Sequence, residues 1–364
     1  MTRAANLAEA AGSGFAFRNR IINGDMRIDQ RNAGAAVTPG SGISYTLDRW
    51  AFQSSLASKF TIQQNAGSVT PPAGFNNYLG ATVASAATLA VGDYCFLWQA
   101  LEGFNCVDLA WGTSSAKAIT LSFWVYSSLT GTFGGSVQNY ASTRSFPFSY
   151  TVGQANTWTQ ITITIPGDTG SDWLSVNKTN GGAIAVNFGL GLGSNYSGTA
   201  GAWVTSNKIS VTGAVNVISN SGATFYITGV QLEKGTVATP FEFRPYGAEL
   251  ALCLRYYYKI VQGPGNTYIG SACTATANTA IGWVPFPVQM RTSPTALEND
   301  GVATDYDTVN NNNVVISTSV PILTQGNTTG TAIIYTSTGN YTTGQGCLIR
   351  LRNANSYLAF SAEL

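Results

Sequence analysis

Apolar and polar residues alternate along most of this chain, and a period of two predicts strands. AITLSFWVY sets Ile119, Leu121, Phe123 and Val125 against Thr120, Ser122, Trp124 and Tyr126, and bulk on both faces predicts a central strand. TWTQITITIPG turns Ile161, Ile163 and Ile165 inward. AIAVNFGLGL opposes Ile184, Val186, Phe188 and Leu190 to Ala185, Asn187, Gly189 and Gly191. That second face is so small that another stretch of backbone, or another chain, is expected close against it. YCFLWQALEG places Tyr94, Phe96 and Trp98 on one side, while Trp50 and Phe52, then Phe60 and Ile62, share faces further upstream. FAFRNRIINGDMRIDQRN reads as an opening strand pair through its Asn23-Gly24 turn signal.

The pattern changes between Phe225 and Lys259. Phe225 and Ile227 share a phase that slips to Val230 and Leu232, and a one-residue slip at Gly229 predicts a β-bulge. Pro240 and Pro245 then bracket FEFR, which excludes helix or central strand and predicts an extended surface run. From Gly247 to Lys259 the period becomes helical, with Leu250, Cys253, Leu254, Tyr257 and Tyr258 on one stripe. About nine or ten strands precede this stretch and about six follow it. The expected fold is therefore all-β, with two antiparallel, jelly-roll-like β-sandwich domains joined by a Pro-bracketed tether and one short helix. The expected divisions are an N-terminal peptide (1–14), a jelly roll (15–240), the tether and helix (241–259) and a small C-terminal β-sandwich (260–364).

Charged residues make up only 10% of the 364, against roughly a quarter in ordinary soluble domains. The surface is thus made polar by hydroxyls and amides. A net charge of +1 without a Lys/Arg run argues against nucleic acid and against anionic membrane. No segment has the length of a transmembrane helix, and Met1 to Phe17 lacks the apolar core of a signal peptide, so neither membrane insertion nor a secretory route is expected. The five cysteines form no CxxC pair and are expected as buried free thiols. Histidine is absent, which removes Ser/His/Asp and Cys/His nucleophile sets and the usual zinc sites.

Sugar binding asks for exposed aromatic planes, on which the C–H face of a pyranose stacks, with amides or carboxylates beside them. The candidates are Trp111, Tyr140, Asp168, Asp172, Trp173, Tyr196 and Trp203, all in loop-like sequence, with GDTGSDW the best grouped. Each ring taken singly also fits packing at a sandwich edge. The same acids offer oxygens for a structural calcium, though without EF-hand spacing, and no other cofactor is expected. Glycoside cleavage would need a carboxylate pair. The 17 acids, Glu102, Asp108, Glu233 and Glu242 among them, are scattered singly, so no catalytic residue is expected. Gly229, Pro240, Phe241, Phe243, Arg244, Pro245 and Tyr246 are expected to form the joint between domains, with a ligand site at FEFRPYG as the alternative.

GVQLEKGTVATPFEFRPYGAELALCLRYYYK, with LSFWVYSSLTGTF, TWTQITITIPGDTGSDW, RIINGDMRIDQRN, SYTLDRW and VPFPVQMRTSPT, resembles a family of phage virion proteins. These carry a jelly roll like that of carbohydrate-binding modules and serve as tail fibres, receptor-binding proteins, or capsid fibres and decorations. The resemblance spans nearly the whole chain after residue 17. It implies a virion protein assembled in the host cytoplasm, with portal, tail or capsid as partners. It also implies a homo-oligomer, a trimer by analogy with phage fibres. Residues 1–14 fall outside the resemblance, and the N-terminal end, with Met1, Leu7, Phe15 and Phe17, is expected to anchor the chain. The leading expectation is a non-enzymatic fibre or decoration protein; the alternative is an adhesin binding a host surface glycan, and the third reading is a polysaccharide depolymerase.

Overall fold

The computed structural model describes residues 18–364 apart from 174, 264, 311 and 312. Met1, Leu7, Phe15 and Phe17 lie outside the described residues. Two compact units divide between Pro245 and Tyr246.

The first unit contains β1 (Gly42–Leu47), β2 (Trp50–Ser54), β3 (Phe60–Gln64), β4 (Leu79–Val83), β5 (Tyr94–Glu102), β6 (Ile119–Ser127) and β7 (Gly131–Asn139). It continues with β8 (Ser145–Val152), β9 (Thr159–Ile165), β10 (Gly182–Leu192), the two-residue β11 (Ser197–Gly198) and β12 (Ser210–Val211), and β13 (Thr224–Lys234). Two antiparallel sheets, β1-β2-β5-β10-β7-β8 and β3-β4-β13-β6-β9, face one another. Their alternating inward residues, among them Trp50, Phe52, Leu97, Val186 and Phe188 from one sheet and Phe60, Leu121, Phe123 and Phe225 from the other, form one core. Phe123 meets Phe188 edge-on at 5.0 Å across the gap. Each such fully buried side chain contributes about 1.5–3 kcal/mol.

The register of β13 against β6 slips by one residue between Thr228 and Gln231. Gly229 sits there at φ +60°, so the bulge lies where the phase slip predicts it. The opening strand pair does not form: 18–36 contains no strand. Instead this segment runs irregularly along β13, where Val230 N donates to Gly24 O at 2.9 Å and Leu232 N to Asn19 Oδ1 at 3.0 Å. The Asn23 side chain donates to Ile28 O and accepts from Ile28 N, a local substitute for a hairpin ladder.

Residues 239–245 return to the same sandwich. Glu233 accepts from Thr239 N and Oγ1, and Glu242 N donates to Gln231 Oε1. Arg244, only 6% exposed, donates to the carbonyls of Asn19 and Ile21. Phe241 and Phe243 each pack on Phe75 with centroids 5.2 Å apart. The Pro-bracketed run thus lies along the first unit as a hydrogen-bonded strap without helix or strand, with Pro240, Phe243 and Pro245 exposed.

The second unit begins with α1 (Tyr246–Leu254), followed by β14 (Tyr257–Val261), β15 (Thr267–Thr274), β16 (Thr279–Pro285), β17 (Leu297–Asn299) and β18 (Tyr306–Asn310). It ends with β19 (Asn313–Ile316), β20 (Ile322–Gly326), β21 (Gly330–Thr336), β22 (Gly346–Leu351) and β23 (Tyr357–Ser361). The helix stops earlier than its stripe suggests, because Tyr257 and Tyr258 enter β14 and pair with β23. A three-stranded sheet, β14-β23-β17, and a seven-stranded sheet, β19-β18-β22-β15-β16-β21-β20, share a core of Tyr258, Val284, Ile333, Ile349, Leu358 and Phe360. Strands beyond the expected six include β18, whose pattern is masked by buried Asp307 and Thr308. Both units are antiparallel β-sandwiches.

Candidate functional site

Three loops at one end of the first sandwich bring Trp111, Trp173 and Trp203 together. Trp111 follows a 3-10 turn, Val107–Leu109, and Ala110 at φ 52°. Its indole is fixed by Nε1 donating to Lys117 O at 2.7 Å. Trp173 closes another 3-10 turn, Ser171–Trp173, and Trp203 Nε1 donates to Pro166 O at 2.9 Å. The rings meet edge-to-face, with centroids 4.6 Å apart for Trp111–Trp173, 5.2 Å for Trp111–Trp203 and 5.6 Å for Trp173–Trp203. This T-shaped geometry puts the positive edge of one ring on the negative face of the next.

Asp168 ties this cluster to the sheet. Its carboxylate accepts from Arg144 Nε at 2.6 Å and Nη2 at 2.8 Å, from Trp173 Nε1 at 2.6 Å and from Gly170 N at 3.1 Å. Burial by itself would raise its pKa. The hydrogen bonds from Arg144, Trp173 and Gly170 and the Arg144 charge outweigh that and hold the carboxyl below its ordinary range. Oxygens surrounded by donors are not presented to a cation, so the calcium reading finds no ligand in Asp168. Among the described residues no three acids, cysteines or histidines cluster as a metal site.

Beside the indoles opens a cleft of about 250 Å³. Val176 and Ile184 form its apolar walls with Trp111 and Trp173, whose indoles are buried in the core (7% and 3% exposed), as packing at a sandwich edge requires, and so reach the cleft only in part; Cys106 and Val107 lie alongside, and Thr113, Asn177 and Lys178 bring polar groups to it. Burial pushes the Cys106 thiol up to about 12, so it serves as an inert wall. Asn177 Oδ1 accepts from Thr179 N at 2.7 Å and Gly181 N at 3.1 Å, which shapes the turn bordering the cleft.

Of the seven candidates, then, Trp111, Trp173, Trp203 and Asp168 converge, and Asp172 lies beside them on the 3-10 turn. Tyr140 borders the cleft through its backbone, N donating to Ala183 O at 2.9 Å, but its ring lies 6.5 Å from Trp98, and Tyr196 meets Tyr94 edge-on at 5.3 Å. Both belong to the outer face of the six-stranded sheet. That face is largely covered by the chain itself: a Cβ on Gly134 or Gly189 would lie 2.3 Å or 2.9 Å from Ser210 Oγ, and Gln138 Nε2 donates to Asn207 Oδ1 at 2.9 Å. The backbone expected against the small face of β10 is therefore the segment around Ser210. Sequence reading missed Arg144, Val107, Val176, Asn177 and Lys178. Arg144 had one signal, a cation in a chain with few charges.

No family model matches this chain, and no curated protein matches it. Among solved structures it is similar to the enzymatically active domain of tailspike protein 4 of bacteriophage CBA120, at 13% identity and TM-score 0.31, over 60% of this chain and 21% of that one. It is also similar to a putative sugar binding protein from Bacteroides thetaiotaomicron, at 13% identity and TM-score 0.32, over 60% of this chain and 100% of that one. The tandem CBM22-1-CBM22-2 domain of Paenibacillus barcinonensis Xyn10C matches at 9% identity and TM-score 0.27, over 92% of this chain and 98% of that one. The chain thus spans about a fifth of the tailspike domain, and at these identities and TM-scores none of the likenesses assigns it a function.

Proposed function

We propose that the chain is a phage virion fibre or decoration protein whose first sandwich binds a glycan in the tryptophan-lined cleft. The virion part rests on the sequence resemblance. The glycan part is carried by one observation: a cleft of about 250 Å³ with indole walls and amide, hydroxyl and ammonium groups at Thr113, Asn177 and Lys178. Apolar walls suit the C–H faces of a pyranose, and the polar groups suit its hydroxyls. The volume suits one sugar ring, so the expected ligand is a chain terminus or side branch of a host polysaccharide. In this reading the protein holds the glycan and does not cleave it, because Asp168 is committed to Arg144 and Trp173.

Titration of the full chain with host-derived oligosaccharides, followed by calorimetry, tests this. Val107 lines the cleft yet is exposed, so Val107→Trp fills the cleft without disturbing the core. It is expected to abolish binding with an unchanged melting temperature; retained binding would remove the cleft from the reading. Release of reducing ends during the incubation would instead favour the depolymerase. Labelling intact virions with an antibody to the chain tests the virion part, and unlabelled particles would overturn it.

A further inference from the structure

Lys178 is the single side chain lining the cleft that is charged at neutral pH, and among the described residues no carboxylate neutralises it. The acids nearby are committed elsewhere. Asp168 is held by Arg144 at 2.6 Å, and Asp172 lends its charge to the same guanidinium. Asp108 lies 2.8 Å from Arg20 and 3.1 Å from Lys234. Glu102 is buried and does not line the cleft. Lys117, whose carbonyl fixes Trp111, is exposed and likewise has no carboxylate partner among the described residues. Cations therefore outnumber acids around the cleft, which favours an anionic ligand.

An unpaired lysine on open surface is ordinary, because water solvates it well. Lys178 differs in its setting. The turn that carries it is pinned to the cleft wall, with Phe104 N donating to Thr179 O and Gly103 N to Gly181 O, both at 2.8 Å. A Cβ on Gly103 would lie 2.3 Å from Asn177 O and 2.8 Å from the Lys178 carbonyl carbon. A residue without a side chain at 103 is thus what lets the turn close on the wall and hold Lys178 at the rim.

We infer that the cleft selects an acidic sugar, a hexuronate unit whose carboxylate meets the Lys178 ammonium while its ring lies against the apolar wall; this rests on the glycan reading above. The charge type follows from the donor. An ammonium is a compact point charge with three N–H donors, which matches a single carboxylate. A sulfate or phosphate ester is better matched by an arginine fork, and no arginine lines the cleft. An amino sugar would set ammonium against ammonium, and a neutral sugar leaves the charge unused. Val107, Val176 and Ile184 supply the apolar surface for the C–H face of the ring.

Calorimetry of the full chain with oligosaccharides ending in glucuronate, galacturonate or mannuronate, each beside its carboxyl-reduced form, tests this. Reduction turns the uronate into the neutral hexose and leaves every other group in place. At least one acid is expected to bind about 10-fold tighter than its reduced form in about 20 mM salt, and the gap to shrink in about 0.5 M salt. Lys178→Met should bring the acid down to the affinity of the reduced form, whereas Lys178→Arg should keep most of the gap. Lys178 is exposed, so both variants are expected to melt as the wild type does. Equal affinity for the two forms, lost on Val107→Trp, would overturn the inference and leave the glycan reading in place. A preference for the acid that survives Lys178→Met would also overturn the inference. Binding of neither form across the panel would overturn both.

Discussion

Asp168 shows how one residue can carry a site's architecture without being its ligand contact. A carboxylate 4% exposed that accepts from a bidentate arginine and an indole N–H is stable only while all those donors are present. Asp168→Asn leaves the partly exposed Arg144 charge beside a neutral amide, and a loss of about 2 kcal/mol is expected, read as a melting shift of roughly 4–8 °C. The pH dependence follows from the lowered pKa. Its stabilisation is complete above the unfolded carboxylate value of about 3.9 and disappears as pH falls through the lower folded value. The gap between wild type and Asp168→Asn in thermal scans should therefore narrow below about pH 4. The thiols provide a second residue-scale test. Burial pushes Cys95 up to about 11 and Cys106 up to about 12, so a chromogenic disulfide at pH 8 should titrate Cys273 fast and the others only on unfolding.

At the scale of elements, the β13 bulge organises the first sandwich because it presents Val230 to the irregular segment that lies along it. Gly229 answers to two separate demands, its φ of +60° and the proximity of Phe75, whose Cζ would lie 2.6 Å from a Cβ. Gly222 has a comparable φ of +77° but nothing within 4 Å. Gly222→Ala should therefore cost about 1 kcal/mol from backbone strain alone, whereas Gly229→Ala should cost about 2–4 kcal/mol because overpacking adds to it. Equal losses in chemical denaturation would contradict the steric account. The bulge was readable from the apolar phase slip, since a side-chain period of two makes any slip visible. The opening segment was misread because Asn23-Gly24 signals a tight turn, while the Asn23 side chain ties that turn to Ile28 and leaves no second strand. Tyr257 and Tyr258 continue a helical stripe in sequence, yet pairing with β23 draws them into a strand.

For the whole molecule, the absence of histidine has a direct consequence. No side chain with an ordinary pKa between 5 and 8 is present, so stability is expected to be flat from about pH 6 to 8; above about pH 8.5, where thiols ionise in the unfolded chain, the buried thiols of Cys95 and Cys106, whose folded values are raised, begin to cost stability. At the alkaline end burial raises the phenols of Tyr150, Tyr306 and Tyr335. A raised folded pKa confers stability that is present below the unfolded value of about 10 and is lost as pH climbs beyond it. Absorbance at the phenolate band should show these tyrosines ionising together with unfolding, and not before it.

Alternation, turn residues and low charge were enough to determine an all-β chain of two sandwiches, because strand periodicity and burial are written in local order. They also singled out Trp111, Asp168, Trp173 and Trp203 as residues of interest. Only the tertiary structure decided that these four meet, that Tyr140 and Tyr196 lie apart from them, and that Arg144 holds the group together. Contacts between loops depend on where strands distant in sequence are paired.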